Sequence, residues 1–243
     1  MMKRFTALVS VCFAVSLSTA TAGILRGGDG QKKVDEAVSV LDEFLEDGEE
    51  CIPPALLREA QGIAIFPGVK KVGLGIGVRK GTGLMSARRE NGSWGPPAFF
   101  TLKGASMGWQ AGAQSMNIVL LLMDPTVLRN FTKRKITAGA DASIAAGPKG
   151  RAADGNALAD LKSDIYSYTM VNGGLFAGVA VKGSSIKYDD KTTRKYYDRK
   201  TDADELLLQQ SAEVPEGARA LLAKLAGYCA EEQLADSSAH PTP

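Results

Sequence analysis

The sequence predicts an α+β protein, a glycine-rich antiparallel β-sheet or barrel flanked by N- and C-terminal helices. Three observations predict it. Twenty of the 27 glycines fall between Gly62 and Gly183, a strand-and-turn composition that both ends of the chain lack. Within that stretch Val72, Leu74, Ile76 and Val78 alternate with Gly73, Gly75 and Gly77, the period of two that a strand imposes. Toward the N-terminus Val34, Val38, Leu41 and Leu45 recur instead at helical spacing. A hydrophobic content of 44% against 23% charged residues is that of a folded domain, not of a disordered chain.

Residues 1–22 are expected to be a secretory signal peptide. Lys3 and Arg4 precede an apolar stretch from Phe5 to Leu17, and Ala20-Thr21-Ala22 places small residues ahead of a cut before Gly23. The apolar stretch is too short for a spanning helix. Val11 precedes Cys12 where a lipoprotein signal needs Gly, Ala or Ser. Export to the periplasm, or secretion, is the expected destination. Residues 23–50 then form an N-terminal helical segment with an amphipathic helix over about 31–46. Pro53-Pro54 opens a short helix through Ala60, because proline suits a first helical turn.

The main domain is expected over residues 51–200. Gly62 to Phe66 reads as a short apolar strand ended by a Pro67-Gly68 turn. Leu84 to Arg89 and Ala98 to Leu102 flank Asn91-Gly92 as a hairpin, with Trp94 in its loop. Met107 to Met123 suits either a strand or a buried helix. Asp124-Pro125 supplies an N-cap and an N1 proline for a helix to about Arg134. Ile165 to Thr169 and Leu175 to Val181, joined through Asn172-Gly173-Gly174, read as a second strand pair. Residues 201–234 carry two helices, about 202–212 and 215–234, packed on the domain, and 235–243 form a disordered tail.

The residues exclude much chemistry. The one histidine, His240, lies in the Pro/Ser-rich tail, so Ser–His–Asp and Cys–His catalysis and His-rich metal sites have no histidine to use. Gly73 to Val78 fails the spacing of a dinucleotide fingerprint, and no GxxxxGK[ST] phosphate loop exists. Bare glycines on one strand face more often allow close packing of backbone. Asp141, Asp154, Asp160 and Asp164 lack calcium-loop spacing and read as caps or solvated surface. No enzyme, cofactor, metal or nucleic-acid role is expected. Cys51 and Cys229, in an exported protein, suggest a disulfide between the N-terminal region and the C-terminal helix; two free thiols are the alternative.

Charge supplies the positive signal. Residues 23–61 hold 4 basic and 10 acidic side chains, residues 62–200 hold 21 and 9, and residues 201–243 hold 2 and 8. A basic middle attracts anions wherever the acidic ends leave it uncovered. The other outcome is that those ends pack onto it and cancel its field. Lys70, Lys71, Arg79, Lys80, Arg88 and Arg89 are the candidate contacts, and Arg79 shares strand parity with the three glycines.

A succession of blocks carries a resemblance. Ile52-Pro53-Pro54 with Leu56-Leu57, the run from Ala60 to Pro67, and Lys71 to Gly77 come first. Gly81-Thr82-Gly83, Trp94 to Pro97, Gly108 to Gly112 and Ala145 to Arg151 follow. Tyr166-Ser167-Tyr168, Gly174 to Gly178 and Tyr196-Tyr197 complete the order. Over about Cys51 to Asp198 this resembles the SYLF domain family, also called the yeast-type actin-binding domain family. The resemblance implies a lipid-binding module: eukaryotic members bind phosphoinositides, yeast members also bind actin filaments, and bacterial relatives are exported. Actin is not expected in a periplasm, so the expected partner is an anionic, phosphatidylinositol-like lipid or membrane surface. The rival expectation is a structural or protein-interaction module whose partner is an envelope protein, using the sheet or exposed Trp94 and Trp109.

Overall fold

The computed structural model describes residues 28–45, 51–133, 135–150, 162–171, 174–176 and 180–239, with side chains described for all of these except 74–76, 106–112, 174–176 and 230–239. The expected signal peptide, Asp154 and Asp160 lie outside the described residues, as does the Trp109 side chain. The chain is a mixed α+β fold, with helices before and after a sheet. Helices α1 (Gly28–Leu45) and α2 (Pro54–Glu59) lead into two long strands, β1 (Gly62–Ala87) and β2 (Ala98–Leu122). There follow α3 (Pro125–Lys133), β3 (Ile136–Thr137), β4 (Ile144–Ala146), β5 (Ile165–Val171), β6 (Gly174–Phe176) and β7 (Ser185–Tyr188). The chain ends with α4 (Asp190–Tyr197), a π-helical turn (Glu205–Gln209), a 3₁₀ turn (Glu216–Ala218) and α5 (Arg219–Ala239), which runs past the expected boundary at 234.

β1 and β2 pair antiparallel from Gly62 opposite Leu122 to Met85 opposite Ala98. The other edge of β2 is used only near its ends, by β5 at Met116–Leu122 and by β7 at Phe100–Lys103. Between those ends the sheet is a two-stranded ribbon. The sheet is not wholly antiparallel as expected: β4 runs parallel to β5, and the Asp164 N–H, donating to Ser143 Oγ at 2.8 Å, ties the starts of the two strands side by side. The segment Met107–Met123 resolves as strand through Leu122, since β1 and β5 together satisfy both backbone edges of its last seven residues.

Alternating residues of the paired ends face two separate cores. Ala64, Phe66, Met85, Phe100, Ile118 and Leu120 pack with α3, β7 and the π-helical turn. Ile63, Ile65, Leu84, Phe99, Val119 and Leu121 pack with α1, α2 and α5. Strands covered on both faces read as continuous apolar runs, which is why 62–66 and 118–122 carry so few polar residues. Pro67-Gly68 is not the expected turn. β1 continues through it with a register shift between Phe66 and Val69, and the Gly68 N–H, at φ +57°, donates to Asn117 Oδ1 at 2.9 Å. A bulge adds one residue and bends the strand without ending it.

The bend brings β1 back on itself. A Cβ at Gly81 would lie 2.7 Å from Val69 Cγ2, and one at Gly83 would lie 2.6 Å from Phe66 Cδ1 and 2.8 Å from Phe66 Cα. Glycine is what allows that approach. The ribbon between the two buried ends, about 70–82 with 101–115, is therefore a folded-over arm. Among the described residues no helix is long and apolar enough to cross a membrane.

Candidate functional site

The arm carries four of the six expected cations. Lys70 and Lys80 are exposed and Lys71 is partly exposed; Lys70 Nζ donates to Ser115 Oγ at 3.2 Å. None of the three forms an ion pair among the described residues. Val72 and Val78 stand between Lys70 and Lys80 on the same strand parity, at 58% and 65% exposure the two exposed large hydrophobics among the described residues. Gly77 and Gly83, of the opposite parity, are buried. One face of the ribbon thus presents apolar side chains between lysines, and the other lies against the protein. Lys103, exposed and directly across from Lys80, joins this face. Composition alone did not single out Lys103, although equal steps outward from Asn91-Gly92 place it opposite Lys80.

Arg79 follows the glycine parity and is 7% exposed. Its Nη1 donates to Ser184 Oγ at 2.8 Å, while Nε has no partner. Desolvation lowers its pKa from the ordinary arginine value. It is therefore an interior cation, not a surface one, and Ser184, its partner from the β6–β7 connection, carried no signal in the sequence.

Arg88 and Arg89 lie elsewhere, at the hairpin end. Arg88 Nε donates to Ala60 O at 3.0 Å, Nη1 to Gly92 O at 2.7 Å and Nη2 to Leu57 O at 2.7 Å. Its Cζ sits 4.3 Å from the centroid of the Trp94 ring. That side chain ties α2 to the hairpin turn. Trp94 is buried beneath it at 4% exposure, correcting the expectation of an exposed aromatic contact. Arg89 Nε donates to Gln210 Oε1 at 3.1 Å, and the arginine lines a cleft with Arg129, Leu208 and Gln209. The structure puts Lys70, Lys80 and Lys103 on one face of the arm, with Lys71 on the opposite parity, and does not bring Arg88 and Arg89 to them.

The disulfide expectation is also corrected, because Cys51 and Cys229 are free thiols. The Tyr228 hydroxyl donates to Ile52 O at 2.8 Å and docks α5 there. Cys229, about 100° further round the helix, meets Arg88 Nη2 at 3.9 Å instead of Cys51. Asp141 and Asp164 act as caps, accepting from the Thr137 and Ser143 N–H groups at 2.7 Å each. Among the described residues no three His, Cys, Asp or Glu side chains converge to hold a metal ion.

Among the described residues, no carboxylate of the acidic ends pairs with a lysine of the arm. α1 pairs with the later helices instead: Asp42 bonds Lys224, and Asp29 lies 3.6 Å from Lys195. Arg199, from the basic stretch, is taken by Glu205 at 2.5 Å. Part of the basic middle is neutralised this way, and the lysines of the arm are among those left without a carboxylate partner among the described residues.

Comparison with known proteins agrees with the sequence blocks. A family profile described as "Ysc84: Las17-binding protein actin regulator" matches residues 103–228. Protein YSC84 of Saccharomyces cerevisiae is 32% identical over 200 residues, covering 79% of this chain and 42% of that protein. LAS seventeen-binding protein 3 of the same species is 31% identical over 175 residues, 69% of this chain and 38% of the relative. SH3 domain-containing YSC84-like protein 1 of Homo sapiens is 30% identical over 173 residues, 69% of this chain and 50% of the relative. The chain thus spans half or less of the length of these curated relatives. With half of its residues matched by the profile and most of its length shared with these proteins, the chain belongs to the Ysc84 family, the SYLF domain family.

Proposed function

We propose that this chain is an exported, non-enzymatic binding module that docks on anionic lipid headgroups through the outward face of the β1–β2 ribbon. One observation carries the reading: Lys70, Lys80 and Lys103 border exposed Val72 and Val78 on one face of a two-stranded arm, and no carboxylate among the described residues pairs with them. Each lysine near an anionic surface contributes about 1 kcal/mol, so three give about 3 kcal/mol. That is roughly a hundredfold in partitioning. Burying the exposed part of each valine adds about 1 kcal/mol at 25 cal/mol per Å². The electrostatic part weakens as the Debye length shrinks from about 10 Å at 0.1 M salt to about 3 Å at 1 M. The glycines contribute shape: they let the arm fold over and present one face outward.

Flotation with phosphatidylcholine vesicles, with and without one-fifth phosphatidylglycerol, tests this. The wild type is expected to float with the anionic vesicles at low salt and to be released at high salt. The variant with Lys70, Lys80 and Lys103 all changed to Gln is expected to stay at the bottom. Equal recovery on neutral and anionic vesicles contradicts the proposal.

The names of the relatives favour one other reading, since they describe binding to Las17 and regulation of actin. Transferred to an exported protein, this becomes a protein partner in the cell envelope. A partner retained on the purified chain after delipidation, and lost in the lysine variant, supports that reading over lipid docking.

A further inference from the structure

The inner face of the ribbon holds a cation that the lysine surface does not use. Arginine keeps its proton throughout the physiological range, so Arg79 carries a full charge at 7% exposure. Among the described residues its one hydrogen-bond partner is a neutral hydroxyl, Ser184 Oγ. No carboxylate among the described residues pairs with it. Charges removed from water are ordinarily paired. The unused donors are also arranged. With Nη1 committed to Ser184 and Nε without a partner, Nε–H and the adjacent Nη2–H form the parallel fork that fits two oxygens of one oxyanion.

The surroundings suit such a group. In register Arg79 faces Gly104, and a Cβ there would come to 3.1 Å from both Ser184 Cα and Cβ. Glycine at 104 is what lets Ser184 reach the ribbon. Gly77 and Gly81, of the same parity as Arg79, add no side chain beside it. Lys80 and Lys103, one step along each strand, are exposed and cross-strand partners. Those lysines point to the opposite face, so the third donor of the site is Ser184: its Oγ accepts from Arg79, leaving its O–H for a further oxygen, which a phosphoryl group offers and a carboxylate held by the fork does not.

We infer that Arg79 and Ser184 form a binding site for a phosphoryl oxyanion, supplied either by a lipid headgroup or by free phosphate. The site does not depend on membrane docking by the lysines, because Arg79 and Ser184 lie on the inner face of the ribbon and not on the lysine face.

The test uses the full chain. The Arg79 Nε–H resonance is followed by ¹⁵N NMR while inorganic phosphate is added, and calorimetry measures the same titration for wild type, Arg79→Lys and Ser184→Ala. Flotation with vesicles of phosphatidylcholine carrying one-fifth phosphatidic acid forms the second arm. The expected result is a saturable shift of the Nε–H signal. Arg79→Lys, which keeps the charge without the fork, is expected to lose at least tenfold in affinity, and Ser184→Ala a few-fold. A response to inorganic phosphate identifies free phosphate as a ligand. A response confined to vesicles, and lost in Arg79→Lys, identifies the headgroup. If Arg79→Lys fails to fold, the wild-type Nε–H signal and Ser184→Ala decide the case. A silent Nε–H signal together with vesicle binding indifferent to both variants overturns the site while leaving lysine docking in place. Phosphate affinity unchanged in Arg79→Lys overturns it as well.

Discussion

Substituting Gly83 by alanine tests whether β1 really folds over against itself. An added Cβ would sit 2.6 Å from Phe66 Cδ1 and 2.8 Å from Phe66 Cα, with the Ile65 carbonyl oxygen nearer still. Two of these three neighbours are backbone atoms in a strand buried on both faces, so they cannot swing aside as a flexible side chain would. Overpacking of a buried site costs about 1–3 kcal/mol, and backbone neighbours put this case at about 3 kcal/mol. For a chain of this size that is a drop of about 6–12 °C in Tm. The assay is urea and thermal unfolding followed by circular dichroism. Gly183→Ala is the comparison: nothing lies within 4 Å of a Cβ there, but φ is +75°, so backbone strain alone costs about 1 kcal/mol. If the two segments of β1 are apart, Gly83→Ala restricts the unfolded chain and stabilises the protein by about 0.4–1 kcal/mol. An increase in Tm refutes the folded-over arm, because the two accounts differ in sign.

Arg88→Met leaves the carbonyls of Ala60, Leu57 and Gly92 without their donor, and is expected to cost about 3 kcal/mol in urea unfolding while vesicle binding at a temperature where the variant stays folded is unchanged. A loss of vesicle binding by the folded variant would return Arg88 to the contact surface. Burial pushes the hydroxyls of Tyr188 and Tyr196 up to about 12 and those of Tyr168 and Tyr197 higher. The folded state therefore holds protons that the unfolded state releases near pH 10, so stability falls as pH rises from about 10 toward 12 and beyond. Absorbance titration near 295 nm is expected to show those tyrosines ionising late and together with unfolding; uniform ionisation near pH 10 in the folded protein contradicts their burial.

Much of this architecture was legible because it depends on local backbone chemistry. Asn91-Gly92 marked the hairpin, with Gly92 at φ +83°, and Asp124-Pro125 marked the start of α3, where Asp124 Oδ1 accepts from the Thr126 N–H at 2.6 Å. Pro67-Gly68 misled for the same local reason: a turn signal became a bulge because Asn117, 49 residues away, binds the Gly68 N–H. Helix α4 went unanticipated since Asp190–Tyr197 is mostly polar. It is fixed by the Asp189 cap and by rings that reach across the fold, such as Tyr196 against Phe99 at 5.1 Å. The lysines of the arm were legible as composition, but their freedom from carboxylates depends on where α1 docks. The different fates of Arg79 and Arg88 depend on partners that no spacing rule reaches, Ser184 in one case and the carbonyls flanking α2 in the other.

The central claim is that the outward face of the ribbon touches the membrane. An environment-sensitive fluorophore on Val78→Cys, in a Cys229→Ser background, reads this directly, with the same dye on Ser211→Cys as a control at an exposed site off the ribbon. Addition of vesicles containing phosphatidylglycerol is expected to shift the position-78 emission to the blue, with position 211 unmoved and the shift abolished by high salt. Vesicle binding without a shift at position 78, or with equal shifts at both positions, contradicts the account.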